Sequence, residues 1–187
     1  MHPLFTKIDL DLSDLNIDSL PAIFIGTYGS NLNVYHYDIA TQDMLIARLP
    51  EKARSKVVDV GYAEVVIAGA GVMPHRGARD AAITYYVRPC GSATSFYHLT
   101  SEATMKELQE GRWPEGRDVN TRNSASIFSF EDGEEIEFFT ATKDDCYILD
   151  TKEVHGVAVT ETSIKLKTLH YWFAPRTSYE QVISYFS

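Results

Sequence analysis

Cysteine is scarce in this sequence: Cys90 and Cys146 are the only two among 187 residues. Two cysteines cannot form a disulfide framework, and they cannot supply the four thiolates of a structural zinc site. Free thiols on strands are the simplest interpretation of both. We therefore expect the fold to be stabilised by a hydrophobic core, which a single domain of this length can form.

A net positive charge and long apolar runs are also absent. The net charge is −9 at pH 7, so we do not expect a surface that follows phosphate backbones. No run is long and apolar enough to span a bilayer, and the N-terminal segment lacks the basic region and apolar core of a signal peptide. These features predict a cytoplasmic protein with neither nucleic acid nor a membrane as its partner, and they leave the oligomeric state open.

What the sequence does contain, from Pro21 onward, is a succession of short β-strand patterns. Runs rich in β-branched and aromatic residues alternate with turn residues, at spacings that suit a sandwich or barrel rather than a parallel α/β sheet. The predicted strands are 22–28, 32–38, 56–68 as one bent strand or two, 82–88, 93–99, 125–130, 135–141, 145–149 and 163–174. Strands 22–28 and 32–38 are predicted to form one hairpin, and 82–88 and 93–99 another.

Helix patterns are few. Residues 41–54 are predicted to be a helix or loop that Pro50 interrupts. Residues 101–110 are predicted to be a helix that ends at Gly111, followed by a polar loop over 113–123. A long loop in a compact domain is often functional, so this helix and loop are our candidate for an element that covers a substrate.

Two histidines occupy matching places in the chain. His75 follows an apolar run that ends in glycines, and His155 follows a buried-looking strand and a short polar turn. Non-haem iron sites use two imidazoles and usually one carboxylate, and a β-barrel can bring distant residues together. We therefore predict that His75 and His155 form a metal-binding pair. The remaining histidines are dispersed, and His36, His98 and His170 are interpreted as structural.

Three segments together resemble a known enzyme family. They are Pro74-His75-Arg76-Gly77 with the strand after it, residues 147–157 around His155, and the strand segment 164–172 with its basic residue Lys165. Over roughly residues 60–174, the chain resembles the Fe(II)/2-oxoglutarate-dependent oxygenases. This resemblance implies a mainly β fold, a double-stranded β-helix (jelly-roll or cupin-like) with a few flanking helices.

The same resemblance implies a domain plan and a reaction. The plan is a single domain, 1–187, with an N-terminal elaboration over 1–55, the β-helix core over 56–174 and a C-terminal helix or tail over 175–187. His75 and His155 would hold Fe(II), and 2-oxoglutarate and O2 would be co-substrates. The implied enzyme is a dioxygenase that hydroxylates a C–H bond of a small molecule or a polypeptide side chain.

Residue 77 departs from the family pattern, because the first histidine usually belongs to a His-x-Asp motif and Gly77 stands in the third position. The aspartyl/asparaginyl β-hydroxylase group resembles the chain better, since its iron is held by two histidines alone. Three alternatives remain open. The vacated position could hold chloride, as in the halogenases; Asp80 could ligate the metal; or the metal could be lost, leaving a non-catalytic cupin-like binding module, a pseudo-oxygenase.

The resemblance also implies a site for the co-substrate. Its spacing from His155 makes Lys165 the candidate anchor for the distal carboxylate of 2-oxoglutarate, with Lys167 as the alternative. On the strand after His75, Thr84 and Tyr86 are candidates to donate hydrogen bonds to the same molecule.

Two arginines close to His75 have two possible roles. Arg76 and Arg79 either clamp an anionic substrate or cover the rim of the site.

Overall fold

The computed structural model of the chain describes residues 3–28, 31–77, 79–100, 106–107, 126–127 and 133–187. The strands of this part are β1 (Phe5–Ile8), β2 (Ala22–Tyr28), β3 (Leu32–Tyr37), β4 (Val57–Val65), β5 (Val72–Arg76), β6 (Ala81–Arg88), β7 (Ala93–Leu99), β8 (Lys106–Glu107), β9 (Ser126–Ile127), β10 (Gly133–Thr140), β11 (Cys146–Asp150), β12 (Val154–Val157) and β13 (Lys167–Phe173). The helices are α1 (Ile39–Ile46), α2 (Glu51–Arg54) and α3 (Tyr179–Ser184), with a 3-10 turn at Ile17–Ser19. In the ranges just given, no helix has the length and apolar character needed to cross a membrane.

The strands form two antiparallel sheets. The first sheet has the order β1-β11-β6-β13-β4-β3-β2, and the second has the order β10-β7-β12-β5-β9-β8. Eight of them, β4–β7 and β10–β13, make the central barrel. In chain order, the first, third, sixth and eighth of these lie in the first sheet, and the other four lie in the second. This is the strand order of a jelly roll, or double-stranded β-helix, and it confirms the mainly β, cupin-like fold.

Aromatic residues from both sheets fill the space between them. Tyr86 and Tyr147 come from the first sheet, and Phe96 and Phe139 come from the second. The Tyr86 ring stands edge-on to the rings of Phe139 and Tyr147, at 6.0 Å between centroids in each case. Such edge contacts are favourable beyond the apolar area that they bury. These four rings identify which face of each strand points into the barrel.

The opposite face of the first sheet carries a second apolar core. Alternate residues of β13, including Leu169 and Tyr171, point to this face and pack with Leu45 of α1 and Val182 of α3. The Asp38 carboxylate accepts a hydrogen bond of 2.8 Å from the Thr41 amide and so begins α1. The helices α1 and α3 therefore cover the outer face of the first sheet. Phe5 of β1, in contrast, packs between the sheets, with its ring centroid 4.5 Å from that of Phe139.

The predicted hairpin of β6 and β7 is wrong. β6 pairs with β11 and β13, whereas β7 pairs with β10 and β12 in the other sheet. The turn between them carries the chain across the barrel, so Tyr86 and Thr94 face each other with 2.7 Å between their hydroxyl oxygens. Packing of both strands onto one interior outweighs the local turn signal.

Other sequence predictions have mixed outcomes. β2 and β3 form the predicted antiparallel hairpin, and Pro50 separates α1 from α2. The predicted helix 101–110 is wrong at Lys106–Glu107, which pairs with β9 as a strand. The rest of that helix and the loop 113–123 lie outside the described residues. The last barrel strand begins at Lys167, later than the predicted 163.

Candidate metal centre

His75 and His155 are direct neighbours across a strand pair. β5 and β12 are antiparallel, and their register places the two histidines opposite each other. The ring centroids are 4.5 Å apart. His155 is also the register partner of Phe96, whose ring belongs to the barrel core and lies 5.8 Å from the His155 ring. Both imidazoles therefore point into the barrel, and the prediction that distant sequence positions meet is satisfied in space.

Each imidazole is held in the same way. Nδ1 of His75 lies 2.9 Å from the Met73 carbonyl oxygen, and Nδ1 of His155 lies 2.9 Å from the Glu153 carbonyl oxygen. A carbonyl oxygen only accepts, so both Nδ1 atoms donate and both Nε2 atoms keep a lone pair. A backbone carbonyl on the other ring nitrogen is the usual support of a metal-binding histidine, because it fixes the tautomer and the ring orientation.

Burial keeps both rings neutral. It lowers the pKa of His75, and it lowers the pKa of His155 to about 3, with a further contribution from the nearby His75. His75 nevertheless keeps some exposed surface, whereas His155 is 8% exposed. Neutral imidazole is the form that binds metal. At pH 7 the pair therefore presents two lone pairs with no proton to displace.

A third interior histidine, His170, faces the pair from the opposite sheet. On β13, Thr168 is the register partner of Tyr86, and His170 is the next residue on that face and pairs with Thr84. Burial, with a further contribution from the nearby His75, lowers the pKa of His170 to about 4. The sequence predicted a structural role for His170. The available signal for its position was the alternation of side chains along β13, which places His170 on the same face as Thr168.

The His170 ring is held by two hydroxyl groups. Nδ1 lies 3.2 Å from Thr84 Oγ1, and Nε2 lies 2.8 Å from Thr168 Oγ1. One ring nitrogen of a neutral imidazole donates and the other accepts, so the two threonines take complementary roles. Within the described ranges, no group of three or more His, Cys, Asp and Glu is placed to hold a metal ion. His170 is thus a polar residue that faces the pair, and the pair is the candidate ligand set.

The three lowered pKa values predict a pH dependence for the metal-free protein. The unfolded chain takes up protons below about pH 6.5, and the folded chain does so only at lower pH. The free energy of unfolding should therefore fall as the pH drops from 6.5 towards 4, by up to about 1.4 kcal/mol per pH unit for each histidine. Denaturant unfolding at several pH values measures this slope.

The variant His170→Gln tests the contribution of one of these histidines. It removes one titrating ring but keeps hydrogen-bonding groups, so it should make the slope shallower. Equal slopes for wild type and His170→Gln would show that His170 titrates normally in the folded protein.

Next to His170 lies a row of stacked rings. The Trp172 ring stacks on His170 at 5.5 Å and on His36 at 5.2 Å. His36 Nδ1 pairs with the buried Asp59 carboxylate. Gly61 lies between His36 and His170 in the sheet register, and its missing side chain leaves room for the Trp172 ring. No sequence pattern predicted this row, because its rings come from two strands, β3 and β13, that lie far apart in the chain.

Gly77 does not open onto an empty ligand position. A Cβ at residue 77 would lie 3.0 Å from Thr151 Cβ and 3.2 Å from Thr151 Oγ1. The Gly77 amide also donates a 2.8 Å hydrogen bond to the Thr151 carbonyl. Asp80, the alternative ligand, forms a 3.0 Å ion pair with Lys152. Thr151 therefore fills the direction that the usual carboxylate would take.

The predicted co-substrate residues fall in different environments. Thr84 and Tyr86 both point into the barrel, but the Tyr86 hydroxyl is already bonded to Thr94. Lys165 is exposed and precedes the first residue of β13. Lys167 points to the outer face, where Nζ lies 2.6 Å from Asp18 Oδ1. The two lysines thus lie in different settings, and the anchoring role of Lys165 stays a prediction.

No protein-family model and no curated protein matches the chain. Solved structures give distant likenesses. An oxalate decarboxylase of Bacillus subtilis, studied for its Mn(II) centres, is 14% identical with a TM-score of 0.38, over 79% of this chain and 27% of that one. The E. coli protein ycfD is 14% identical with a TM-score of 0.40, over 83% of this chain and 37% of that one. Similarity this low does not support a conclusion about this chain, which spans well under half of either structure. The fold assignment therefore rests on the strand order.

Proposed function

We propose that this protein is an Fe(II)- and 2-oxoglutarate-dependent dioxygenase that hydroxylates a C–H bond, with the metal held by His75 and His155. The observation that carries the proposal is the matched pair of imidazoles inside the barrel. Each donates Nδ1–H to a carbonyl oxygen two residues earlier and keeps its Nε2 lone pair. Paired neutral imidazoles suit ferrous iron, and a site with few protein ligands leaves positions for oxygen and a co-substrate.

Bound iron would supply the activation of dioxygen that couples decarboxylation of 2-oxoglutarate to oxidation of the substrate. The chain supplies the surroundings. The main-chain carbonyls of Met73 and Glu153 orient the two imidazoles. The Thr84 hydroxyl and the His170 ring form a polar patch opposite them, suited to hydrogen bonds with a carboxylate. Phe96 packs beside His155 and limits the access of water.

The halogenase alternative has less support than the hydroxylase. Chloride in such an enzyme would occupy the position of the missing carboxylate. Here the Cβ direction of Gly77 meets Thr151, whose carbonyl also binds the Gly77 amide. This packing favours a two-histidine site whose remaining positions lie on other sides of the metal. The experiment below distinguishes an enzyme from the alternative, a non-catalytic binding module.

The test is anaerobic titration of the protein with Fe(II) and 2-oxoglutarate. Chelation of the iron by the co-substrate should produce a weak charge-transfer absorption band. Aerobic incubation should then convert 2-oxoglutarate to succinate. His98→Ala is a matched control, since it removes an exposed histidine of the same sheet and should leave the band in place. Absence of both the band and the turnover in the wild type would refute the enzyme and favour a binding module.

The anchoring lysine is tested in the same titration. Lys165→Ala should raise the 2-oxoglutarate concentration needed for half of the band by about 10-fold or more, the loss expected for one charge-assisted hydrogen bond. Lys167→Ala is the comparison, because Lys167 is bound to Asp18 on the outer face. Unchanged affinity for 2-oxoglutarate in Lys165→Ala would show that Lys165 does not bind the co-substrate. The proposal for the metal pair would not be affected.

A further inference from the structure

Arg79 is a buried cation whose side chain the fold leaves partly unbonded. The residue is 8% exposed, and Nη1 has no hydrogen-bond partner within the part of the chain that the structure describes. Burial of a charged group without hydrogen bonds is costly, so natural proteins rarely retain one without a use. Burial lowers the pKa of the guanidinium, and the nearby Asp59 raises it. Arginine remains charged under such conditions.

Arg79 lies at the same end of the barrel as the histidine pair. His75 is at the end of β5, and residues 77–80 connect that end directly to the start of β6. The start of β6 pairs with the end of β13, where Ala82 is the register partner of Trp172. Trp172 in turn pairs with Asp59 on β4. These pairings place Asp59, whose charge acts on the Arg79 guanidinium, at this end of the first sheet.

The main chain of Arg79 is fixed in place. The Thr151 hydroxyl donates a 2.5 Å hydrogen bond to the Arg79 carbonyl oxygen. On either side of it, the Gly77 amide binds the Thr151 carbonyl, and the Thr151 amide binds the Asp80 carbonyl at 3.1 Å. Thr151 thus makes three hydrogen bonds, to Gly77, Arg79 and Asp80, which hold this connection against the end of β11. A fixed main chain gives the buried guanidinium a defined position, as a binding residue requires.

We propose that Arg79 binds the carboxylate of an anionic substrate at the end of the barrel that holds the histidine pair. Its unbonded Nη1 can donate to one carboxylate oxygen, and the planar fork of arginine matches the geometry of a carboxylate. Asp59, which also pairs with His36, balances the charge of Arg79 when no anion is bound. The substrate class is then an organic acid, and this part of the inference rests on the proposed function. Anion binding itself does not require the metal.

The test is an NMR titration of the full chain, labelled with 15N-arginine, with benzoate as the probe and benzamide as its neutral counterpart. The Arg79 Nε–H signal, identified by its loss in Arg79→Met, should shift with benzoate and not with benzamide. Arg79→Met should weaken benzoate binding by about 10- to 100-fold. Arg48→Met removes an exposed, ion-paired arginine and should bind benzoate like the wild type.

Two further measurements separate the possible failures. His155→Ala should keep its affinity for benzoate even where it loses the metal, so failure of the oxygenase proposal leaves this result intact. Thermal unfolding distinguishes a binding role from a structural one. A binding role predicts that Arg79→Met unfolds at or above the wild-type temperature, because an unsatisfied charge is replaced by an apolar chain. Unchanged benzoate affinity in Arg79→Met, or a wild type that binds benzoate no better than benzamide, would overturn the proposal.

Discussion

His155→Ala is expected to lower the affinity for a divalent metal by more than about 100-fold. Loss of an outer partner of a ligand already costs up to this much, and His155 is proposed as one of only two protein ligands. His75→Ala should have an equal effect, because the two rings are related by the same register and the same support. Calorimetric titration with Co(II) under anaerobic conditions measures both variants directly.

The control for this loss is again His98→Ala, an exposed histidine on β7. It should bind Co(II) as the wild type does. If His155→Ala and His75→Ala both retain the wild-type affinity for Co(II), the metal is bound elsewhere and the pair is not a metal centre. If only one of the two variants loses affinity, the metal takes its other ligands outside the pair.

Gly61→Ala is expected to lower the free energy of unfolding by at least about 3 kcal/mol. A Cβ at residue 61 would lie 2.1 Å from the Tyr35 carbonyl oxygen and 2.9 Å from the Trp172 ring. The main chain of β3 cannot move away without breaking its pairing with β4. The row of rings beside the candidate site should therefore be disturbed together with the sheet.

Gly26→Ala supplies the matched control for this effect. Gly26 lies on β2, in the same sheet, and an added Cβ meets nothing within 4 Å. The substitution should be neutral, or stabilising by up to about 1 kcal/mol through a less flexible unfolded chain. Denaturant unfolding of the two variants provides the comparison. Equal stability of Gly61→Ala and Gly26→Ala would show that β3 can shift freely from β4.

Local signals in the sequence were enough to predict a mainly β fold, because strand patterns with regular turns point to a sandwich or barrel. His75 and His155 each follow such a pattern, whereas the double-stranded β-helix and the metal-binding role were implied by the family resemblance. The pairing of strands is a different matter. A turn signal such as Pro89 to Ser92 says where the chain bends, and it does not say whether the next strand stays in the same sheet. Interior packing decided this for β6 and β7.

The direction in which side chains point explains the other differences between the sequence predictions and the structure. His170 and Lys167 are three residues apart on β13, and alternation turns the histidine inward and the lysine outward. Only the register with β6, set by long-range pairing, identifies the inner face. For Gly77, the sequence shows only that a carboxylate is missing and does not show what lies in its place. The turn after β11 places Thr151 there.

The most direct test is a long-range 1H–15N NMR correlation of the histidine rings, recorded during titration with Zn(II), a diamagnetic stand-in for Fe(II). The metal-free protein should show His75 and His155 as neutral Nδ1–H tautomers. Zn(II) should then shift the Nε2 signals of both rings together while their Nδ1 atoms stay protonated. Nε2–H tautomers in the metal-free protein, or Nε2 signals that do not move with Zn(II), would contradict the account.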